Sequence, residues 1–289
     1  MSQYDQIVLP DELRYDWEEA RADIISEIVH HLENTGAKRV VLGLSGGVDS
    51  SVCLALAVQA VGRENVEVLF MPEKGVTPEY DEEDAKAVSQ LLGVKLKEIE
   101  ISPILEEFAR NIEELSSLAL ANMKARIRMV LLYATANNMR DAQVIGTSDK
   151  SELLLGYTTK YGDGAADLLP IGDLYKTQVR FMASKLGLPK RVWLKAPSPQ
   201  LIKGVTAQAE LGLPYDVLDR ILYYRVDMRY PDERIAQLLG LEPSVIAKYS
   251  DMILRSDHKR KAPPIGKLGN STINVDWRMP IERPQKAFF

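Results

Sequence analysis

Residues 40–51 read Val40-Val41-Leu42-Gly43-Leu44-Ser45-Gly46-Gly47-Val48-Asp49-Ser50-Ser51, a short apolar run that leads into a glycine-rich turn. The apolar residues predict a buried strand, and the residues from Val48 onward predict a helix. The two glycines between them allow a sharp turn and leave backbone N–H groups open to a ligand. Together with the helix N-terminus and the serine hydroxyls, these N–H groups predict an anion site suited to a polyphosphate.

An acidic residue, Asp49, stands inside this predicted phosphate loop. A carboxylate close to phosphate oxygens needs a cation between them, and Mg²⁺ is the ordinary one. The glycines are not followed by the Lys of the Walker pattern, so the loop differs from the common γ-phosphoryl-transfer loop. The alternative is a tight turn whose Asp and Ser only cap the helix. A cap needs one such residue, however, and not the whole Ser-Gly-Gly-x-Asp-Ser-Ser pattern.

The composition is that of an ordinary globular protein. The chain has 289 residues, of which 46% are hydrophobic and 27% charged, which is enough for one large domain with a sizeable core. A formal net charge of −5 gives no indication of nucleic acid or a membrane surface as a partner. The single cysteine, Cys53, excludes an intrachain disulfide. With no signal pattern and no long apolar run, the sequence predicts a cytoplasmic protein.

Apolar runs alternate with helical patterns along the first half of the chain. Strands are predicted at 40–44, 66–71, 94–101 and 143–147, the third near an edge, and helices at 15–34, 48–57, 81–92, 103–115 and 118–139. This alternation is typical of an α/β fold with a doubly wound, mostly parallel sheet flanked by helices. Ligands of such sheets bind beyond the carboxyl ends of the strands, where strand order reverses. The residues after Leu44, Met71 and Thr147 are therefore expected to meet in one crevice.

The second half of the chain is predicted to be mainly helical. Residues 157–173 are rich in Gly and Asp and are expected to be irregular, and helices are predicted at 176–186, 215–224, 232–239 and 245–257. Residues 196–209 have little periodicity and are expected to form a mobile loop. We interpret residues 1–289 as one domain. It has a core at about 15–195, the loop, and a small helical C-terminal extension with a tail at 210–289.

A second group of polar residues follows the predicted fourth strand. Within residues 146–178, Glu152 offers a carboxylate that could complete a metal site with Asp49, and Lys176 offers a mobile positive charge for phosphate. One polar turn contains both a positively charged side chain, Lys160, and two negatively charged ones, Asp163 and Asp167. A solvated surface loop with unpaired charges is the alternative interpretation.

These motifs resemble those of a known family. Ser45-Gly46-Gly47-Val48-Asp49-Ser50 resembles the phosphate loop of the ATP pyrophosphatase superfamily, whose members cleave ATP between the α and β phosphates to form adenylates. The segments 122–129, 146–178 and 258–260 resemble the NAD synthetase family within it. The similarity spans most of 36–264, and it implies an adenine nucleotide α-hydrolase-like fold.

The resemblance also implies roles for individual residues. It implies that ATP binds Gly43, Leu44, Ser45, Gly46, Gly47, Val48, Asp49, Ser50, Thr147, Lys176 and Ser198, with Mg²⁺ on Asp49 and Glu152. The dinucleotide substrate would bind Arg126, Tyr133, Lys160, Asp167, His258 and Lys259. The implied catalytic residues are Asp49, Lys176 and Asp163, the last of which would steer or deprotonate ammonia.

The reaction that the resemblance implies is the ATP-dependent amidation of nicotinic acid adenine dinucleotide to NAD. It uses ammonia, passes through an acyl-adenylate and releases AMP and pyrophosphate. The resemblance also implies a homodimer with the helix at 118–139 in the interface. Two alternatives stay open. A tRNA-modifying adenylating enzyme is disfavoured by the single cysteine and the negative charge. A non-catalytic nucleotide-binding module would not need Glu152 and Lys176.

Overall fold

A computed structural model describes residues 7–112, 114–195, 210–273, 275 and 277. Within them, four parallel strands form one sheet in the order β3-β2-β1-β4. The strands are β1 (Arg39–Gly43), β2 (Val66–Phe70), β3 (Leu96–Glu98) and β4 (Ala142–Val144). The predicted parallel sheet is confirmed, with β3 at an edge. The third and fourth strands are shorter than predicted, and the backbone beyond β4 makes only a single bridge from Ile145 to Leu168.

Helices cover both faces of the sheet. They are α1 (Trp17–Thr35), α2 (Val48–Val61), α3 (Glu79–Leu92), α4 (Ser102–Arg110), α5 (Ser117–Met139), α6 (Lys150–Leu155), α7 (Lys176–Lys185) and α8 (Lys190–Leu194). Side chains alternate along β1: Val40 and Leu42 pack into the core beneath α1, α2 and α7, whereas Val41 packs beneath α4 and α5. Burial on both faces explains why residues 40–42 of this strand are all apolar.

Of these eight helices, two were not predicted, and one is shorter than predicted. Helices α6 and α8 have only six and five residues, too few to show a helical period. Helix α4 ends at Arg110 and not at 115. The chain turns there because Glu114 has a left-handed φ of 54° and Ser116 caps α5 by accepting from the Ala119 N–H.

The C-terminal helices pack around a core of their own. They are α9 (Tyr215–Leu222), α10 (Asp232–Leu239), α11 (Pro243–Arg255) and α12 (Asp257–Arg260), and a π-helical turn at Tyr223–Asp227 extends α9. Their apolar side chains pack on Leu155 of α6 and on Tyr175, which precedes α7. The division into core, loop and extension stays a prediction, and the predicted loop 196–209, with Ser198, lies outside the described residues.

No helix in the described part of the chain combines the length and the apolar character needed to cross a membrane.

Candidate active site

The phosphate loop connects β1 to α2, and its conformation is stabilised by hydrogen bonds between its serine side chains and its own backbone. Ser50 Oγ accepts from the Ser45 N–H at 3.2 Å, and Ser51 Oγ donates to the Gly47 carbonyl at 2.7 Å. Gly46 has a left-handed φ of 79°, and a Cβ there would lie 2.3 Å from the Asp81 carbonyl oxygen. Only glycine therefore fits between the loop and α3.

Lys195 links the phosphate loop to α3. Its Nζ donates to the Gly46 carbonyl at 2.9 Å and to the carboxylates of Asp81 and Asp84 on α3, at 2.5 and 2.7 Å. Both carboxylates are buried. Because one ammonium joins the loop and α3, the two elements hold a fixed relative position.

Asp49 does not cap α2. The N-cap of this helix is Gly47, without a side-chain hydrogen bond, so the alternative in which Asp49 is only a helix cap is wrong. Asp49 accepts instead from Lys176 of α7, at 2.7 Å from Oδ2 to Nζ. The loop and α7 therefore meet at this ion pair.

Lys176 lies among three carboxylates. Its Nζ is 2.7 Å from Asp49 Oδ2, 2.9 Å from Asp149 Oδ2 and 2.8 Å from Glu152 Oε1, and its side chain is 1% exposed. Burial by itself lowers the pKa of Lys176, but the three carboxylates outweigh it and hold the pKa well above its ordinary value. The ammonium is charged, and the predicted pair of Asp49 and Glu152 converges on it.

Asp149 is a residue of this cluster that sequence reasoning missed. Its Oδ1 caps α6 by accepting from the Glu152 N–H at 2.8 Å, while Oδ2 faces Lys176. Burial, partly opposed by Lys176, raises the pKa of Asp149 to about 6, and burial likewise raises the pKa of Glu152. The signal in the sequence was the spacing of Asp149 and Glu152, which is that of an N-cap and the third residue of a helix.

The carboxyl ends of the strands meet in one cavity, as predicted. It is lined by the phosphate loop, by Met71 after β2, and by Thr147, Ser148 and Glu152 after β4. Arg128 of α5 also lines it and was not predicted; its Nε donates to the Met71 carbonyl at 3.0 Å. Burial lowers the pKa of Arg128.

Asp163 stands in the wall of the same cavity. Its Oδ1 accepts from the Thr159 N–H at 2.6 Å, and loss of hydration raises the pKa of the carboxyl group. On the neighbouring surface the Tyr133 hydroxyl donates to Asp167 at 3.1 Å, and Asp167 also accepts from the Val144 N–H at 2.8 Å. Two residues predicted to bind the dinucleotide are thus in direct contact.

The other four residues predicted to bind the dinucleotide meet around residues 156–160. Arg126 donates to the Lys160 carbonyl at 3.3 Å, and Lys160 Nζ lies 3.5 Å from His258 Nδ1. Lys259 Nζ donates to the carbonyls of Gly156 and Thr158 at 2.6 and 2.7 Å. Helix α12 is thereby joined to the turn that carries Lys160.

Asp49 and Glu152 fit a magnesium ion by the chemistry of their oxygen donors. The two carboxylates converge beside the Lys176 Nζ, and Asp49 Oδ1 is buried without a hydrogen-bond partner within the described residues. These residues contain no group of three or more His, Cys, Asp or Glu side chains able to hold a metal ion. Mg²⁺ at this pair would depend on phosphate oxygens for its other ligands.

Comparison with known proteins gives a consistent result. The family model described as NAD synthase matches residues 20–263. The NH3-dependent NAD+ synthetase of Saccharolobus solfataricus is 44% identical over 93% of this chain and 96% of its own. Two solved structures each cover 88% of this chain and 100% of their own. They are an NH3-dependent NAD synthetase from Campylobacter jejuni in complex with nitrate, with 34% identity and a TM-score of 0.74, and an NMN synthetase from Francisella tularensis, with 30% identity and a TM-score of 0.75. The chain therefore belongs to the NAD synthase family, as its motifs predict.

Proposed function

We propose that this protein is an ammonia-dependent NAD synthetase, which converts nicotinic acid adenine dinucleotide, ATP and ammonia to NAD, AMP and pyrophosphate. The observation that carries the proposal is the convergence of Asp49 and Glu152 on Lys176 beside the phosphate loop. An adenylate-forming ligase needs positive charge at this point, because charge develops there on the departing pyrophosphate. The same proposal assigns the enzyme to the cytoplasm, where a free thiol such as Cys53 stays reduced.

The first step is attack of the nicotinate carboxylate on the α phosphorus of ATP. The N–H groups of the phosphate loop and the N-terminus of α2 bind the phosphates. Lys176 exchanges part of its carboxylate contacts for a pyrophosphate oxygen and stabilises the leaving group. When bound by Asp49 and Glu152, Mg²⁺ supplies further positive charge to the phosphates. Thr147, in the cavity wall, contacts ATP.

In the second step ammonia attacks the adenylate, and AMP leaves. Asp163 is suited to orient the nitrogen and to accept a proton at a carboxylate oxygen, since its raised pKa makes it a stronger base than an ordinary Asp. Its hydrogen bond from the Thr159 N–H leaves acceptor capacity for ammonia. Proton loss from the attacking nitrogen then completes the amide.

The dinucleotide would lie along the surface formed by Arg126, Lys160, His258 and Lys259, with Tyr133 and Asp167 beside the nicotinate end. The cationic side chains suit its pyrophosphate, and the Tyr133 ring suits stacking. This role rests on the contacts that bring the four residues together around 156–160.

We also propose that two copies of the chain pair through the surface of α4 and α5. This surface has an apolar groove of about 580 Å³, lined by residues such as Ile104, Met123 and Leu131. Three large apolar side chains of α4 and α5 are strongly exposed: Phe108 by 52%, Leu118 by 68% and Val130 by 57%. Exposed apolar surface of this kind is typical of a permanent interface.

The test is a product assay on purified protein with ATP, Mg²⁺ and ammonium. Nicotinic acid adenine dinucleotide should give NAD, AMP and pyrophosphate in equal amounts. Nicotinic acid mononucleotide is included because a structural relative is an NMN synthetase, and transfer RNA tests the alternative enzyme class. ATP cleavage that depends on the mononucleotide or on RNA, with no NAD formed, would refute the proposal.

Replacing ammonium by ammonia-free glutamine tests the nitrogen source. A glutaminase needs an activated nucleophile, normally a cysteine. Burial and the neighbouring acids raise the pKa of Cys53, which makes its thiol unreactive. We expect almost no NAD from glutamine and near-normal ammonia-dependent activity of Cys53→Ala. Efficient synthesis from glutamine by this chain alone would contradict ammonia dependence.

A further inference from the structure

One face of α9, in the C-terminal extension, lies against Lys176. Tyr215 and Asp219 are four residues apart on this helix and therefore share a face. The Lys176 Nζ lies 5.5 Å from the centroid of the Tyr215 ring, within the range of a cation–π interaction. Both α9 side chains are buried.

Asp219 is linked to the Lys176 backbone through the Ser151 hydroxyl. The Ser151 hydroxyl donates to Asp219 Oδ1 at 2.6 Å, and the same hydroxyl accepts from the Lys176 N–H at 2.9 Å. The Thr177 N–H and hydroxyl both donate to Asp219 Oδ2, each at 2.8 Å. Asp219 thus accepts hydrogen bonds from the first turn of α7 and from α6.

The two helices joined by Asp219, with the N-cap of α6, carry three of the four residues of the charged cluster; the fourth, Asp49, lies on α2. Ser151 lies between Asp149 and Glu152 on α6, and Thr177 follows Lys176 on α7. A change at Asp219 therefore shifts the ammonium relative to its carboxylates, although Asp219 does not touch any of them.

We propose that Asp219 and Tyr215 are positioning residues for Lys176. Asp219 holds the Lys176 backbone through Ser151 and Thr177, the Tyr215 ring lies beside its ammonium, and together they set where this charge meets ATP. This inference rests on the proposed function, because it assigns Lys176 to the phosphates. The C-terminal extension thereby contributes to the reaction by positioning Lys176, without supplying a catalytic side chain of its own.

The test is the rate constant of ATP cleavage in a single turnover, with enzyme in excess over ATP. At enzyme concentrations where this rate constant no longer rises with added enzyme, it does not change when part of the enzyme is unfolded, so loss of stability alone leaves it unaltered. Asp219→Asn keeps the size of the side chain but turns one acceptor into a donor facing the donors of Ser151 or Thr177. We expect the rate constant to fall about tenfold or more, since small misplacements of a reacting group have effects of this size.

Asp232→Asn is the matched control. Asp232 is an acid of the same extension that accepts from the Ser250 hydroxyl at 2.9 Å, and it lies outside the contacts with α6 and α7. Its single-turnover rate constant should stay within about twofold of wild type. An unchanged rate constant for Asp219→Asn, or an equal loss for Asp232→Asn, overturns the proposal.

Two further variants keep the test decisive if Asp219→Asn does not fold. Ser151→Ala removes the hydroxyl that links Asp219 to the Lys176 N–H and should lower the rate constant in the same direction. Tyr215→Leu should also lower it, and Tyr215→Phe, which keeps the ring, should restore most of the rate. Wild-type rates for both Ser151→Ala and Tyr215→Leu would refute positioning by α9.

A wild-type enzyme that forms no NAD would instead refute the proposed function, and the two failures are distinguishable.

Discussion

At the scale of single residues, the charge balance around Lys176 would favour the proposed binding of a further cation. One ammonium faces three carboxylates within 2.9 Å, so the formal charge of the cluster is negative. Burial weakens the screening by water, and the pKa values of Asp149 and Glu152 rise in response. A divalent cation that arrives with ATP would relieve the same excess of negative charge.

Changing the two proposed metal ligands should affect turnover more than stability. Asp49→Asn or Glu152→Gln removes a proposed ligand of Mg²⁺, and we expect turnover to fall by about 10²-fold or more. The free energy of unfolding should change much less, because either variant also reduces repulsion within the cluster. Steady-state rates over a range of Mg²⁺ concentrations measure the first effect, and urea unfolding the second. Near-normal activity of Glu152→Gln at low Mg²⁺ would remove Glu152 from the metal site.

Asp149 should make stability depend on pH. Its pKa is about 6 in the folded state and about 3.9 in an unfolded chain, so the folded state binds the proton more tightly. Its contribution to stability is therefore complete below about pH 4 and is lost as the pH rises through about 6. Asp149→Asn keeps an oxygen for the Glu152 N–H and should flatten this part of the curve. Urea unfolding without Mg²⁺ at about pH 4.5 and about pH 7.5 compares the two proteins, and parallel curves would contradict the assignment.

The sequence identified the residues whose type matches their chemistry and missed those whose role depends on packing. Asp49, Glu152 and Lys176 were predicted because phosphate and metal chemistry call for carboxylates and an ammonium at a glycine-rich loop. Asp219 is 42 residues from its partner Thr177, and nothing local in the sequence indicates that the two meet. Arg128 was likewise not predicted, because its place in the cavity wall depends on how α5 packs in the folded chain.

At the scale of elements, the phosphate loop combines two glycines with different constraints. A Cβ on Gly46 would meet the Asp81 backbone at 2.3 Å, whereas a Cβ on Gly47 would lie 3.2 Å from the Ser45 hydroxyl. Gly47 also has an ordinary φ of −84°. Substitutions at the two positions therefore distinguish the fit of the loop against α3 from its proposed contact with ATP.

Gly46→Ala should destabilise the protein by several kcal/mol, because both the backbone conformation and the contact with α3 oppose a side chain. Gly47→Ala should change the free energy of unfolding by only about 1 kcal/mol but weaken ATP binding, since its Cβ occupies space at the N–H groups that are proposed to bind the phosphates. Urea unfolding and calorimetric titration of ATP measure the two effects. Equal loss of stability in both variants would show that the loop constrains the two glycines alike.

The regular elements with long apolar patterns were predicted well, and the short ones were not. Strand β1 and helix α5 came out within one residue of their predicted ends, because continuous burial leaves a clear period in the sequence. Helix α6 begins at its cap Asp149, and its residue Ser151 donates a hydrogen bond to Asp219 of α9, a contact that only the folded chain provides. Helix α8 has only five residues, too few to show a helical period.

At the scale of the whole molecule, the proposed interface and the proposed dinucleotide site adjoin each other on α5. Arg126 lines the apolar groove and also contacts the Lys160 carbonyl. Tyr133 lies about two turns further along the same helix. If a second copy covers the groove, pairing would also enclose the surface on which the dinucleotide is proposed to lie.

Val130→Asp should therefore weaken the dimer and, with it, the binding of dinucleotide. A charge buried without a partner in an apolar interface is strongly unfavourable, so we expect the dimer dissociation constant to rise by about 100-fold or more. The matched control is Leu254→Asp on α11, since Leu254 is 71% exposed and lies away from α4 and α5. Sedimentation over a range of concentrations measures assembly, and KM for the dinucleotide is compared with KM for ATP. If Val130→Asp stays dimeric, the α4–α5 surface is not the interface; if it becomes monomeric with an unchanged KM for the dinucleotide, that substrate binds within one subunit.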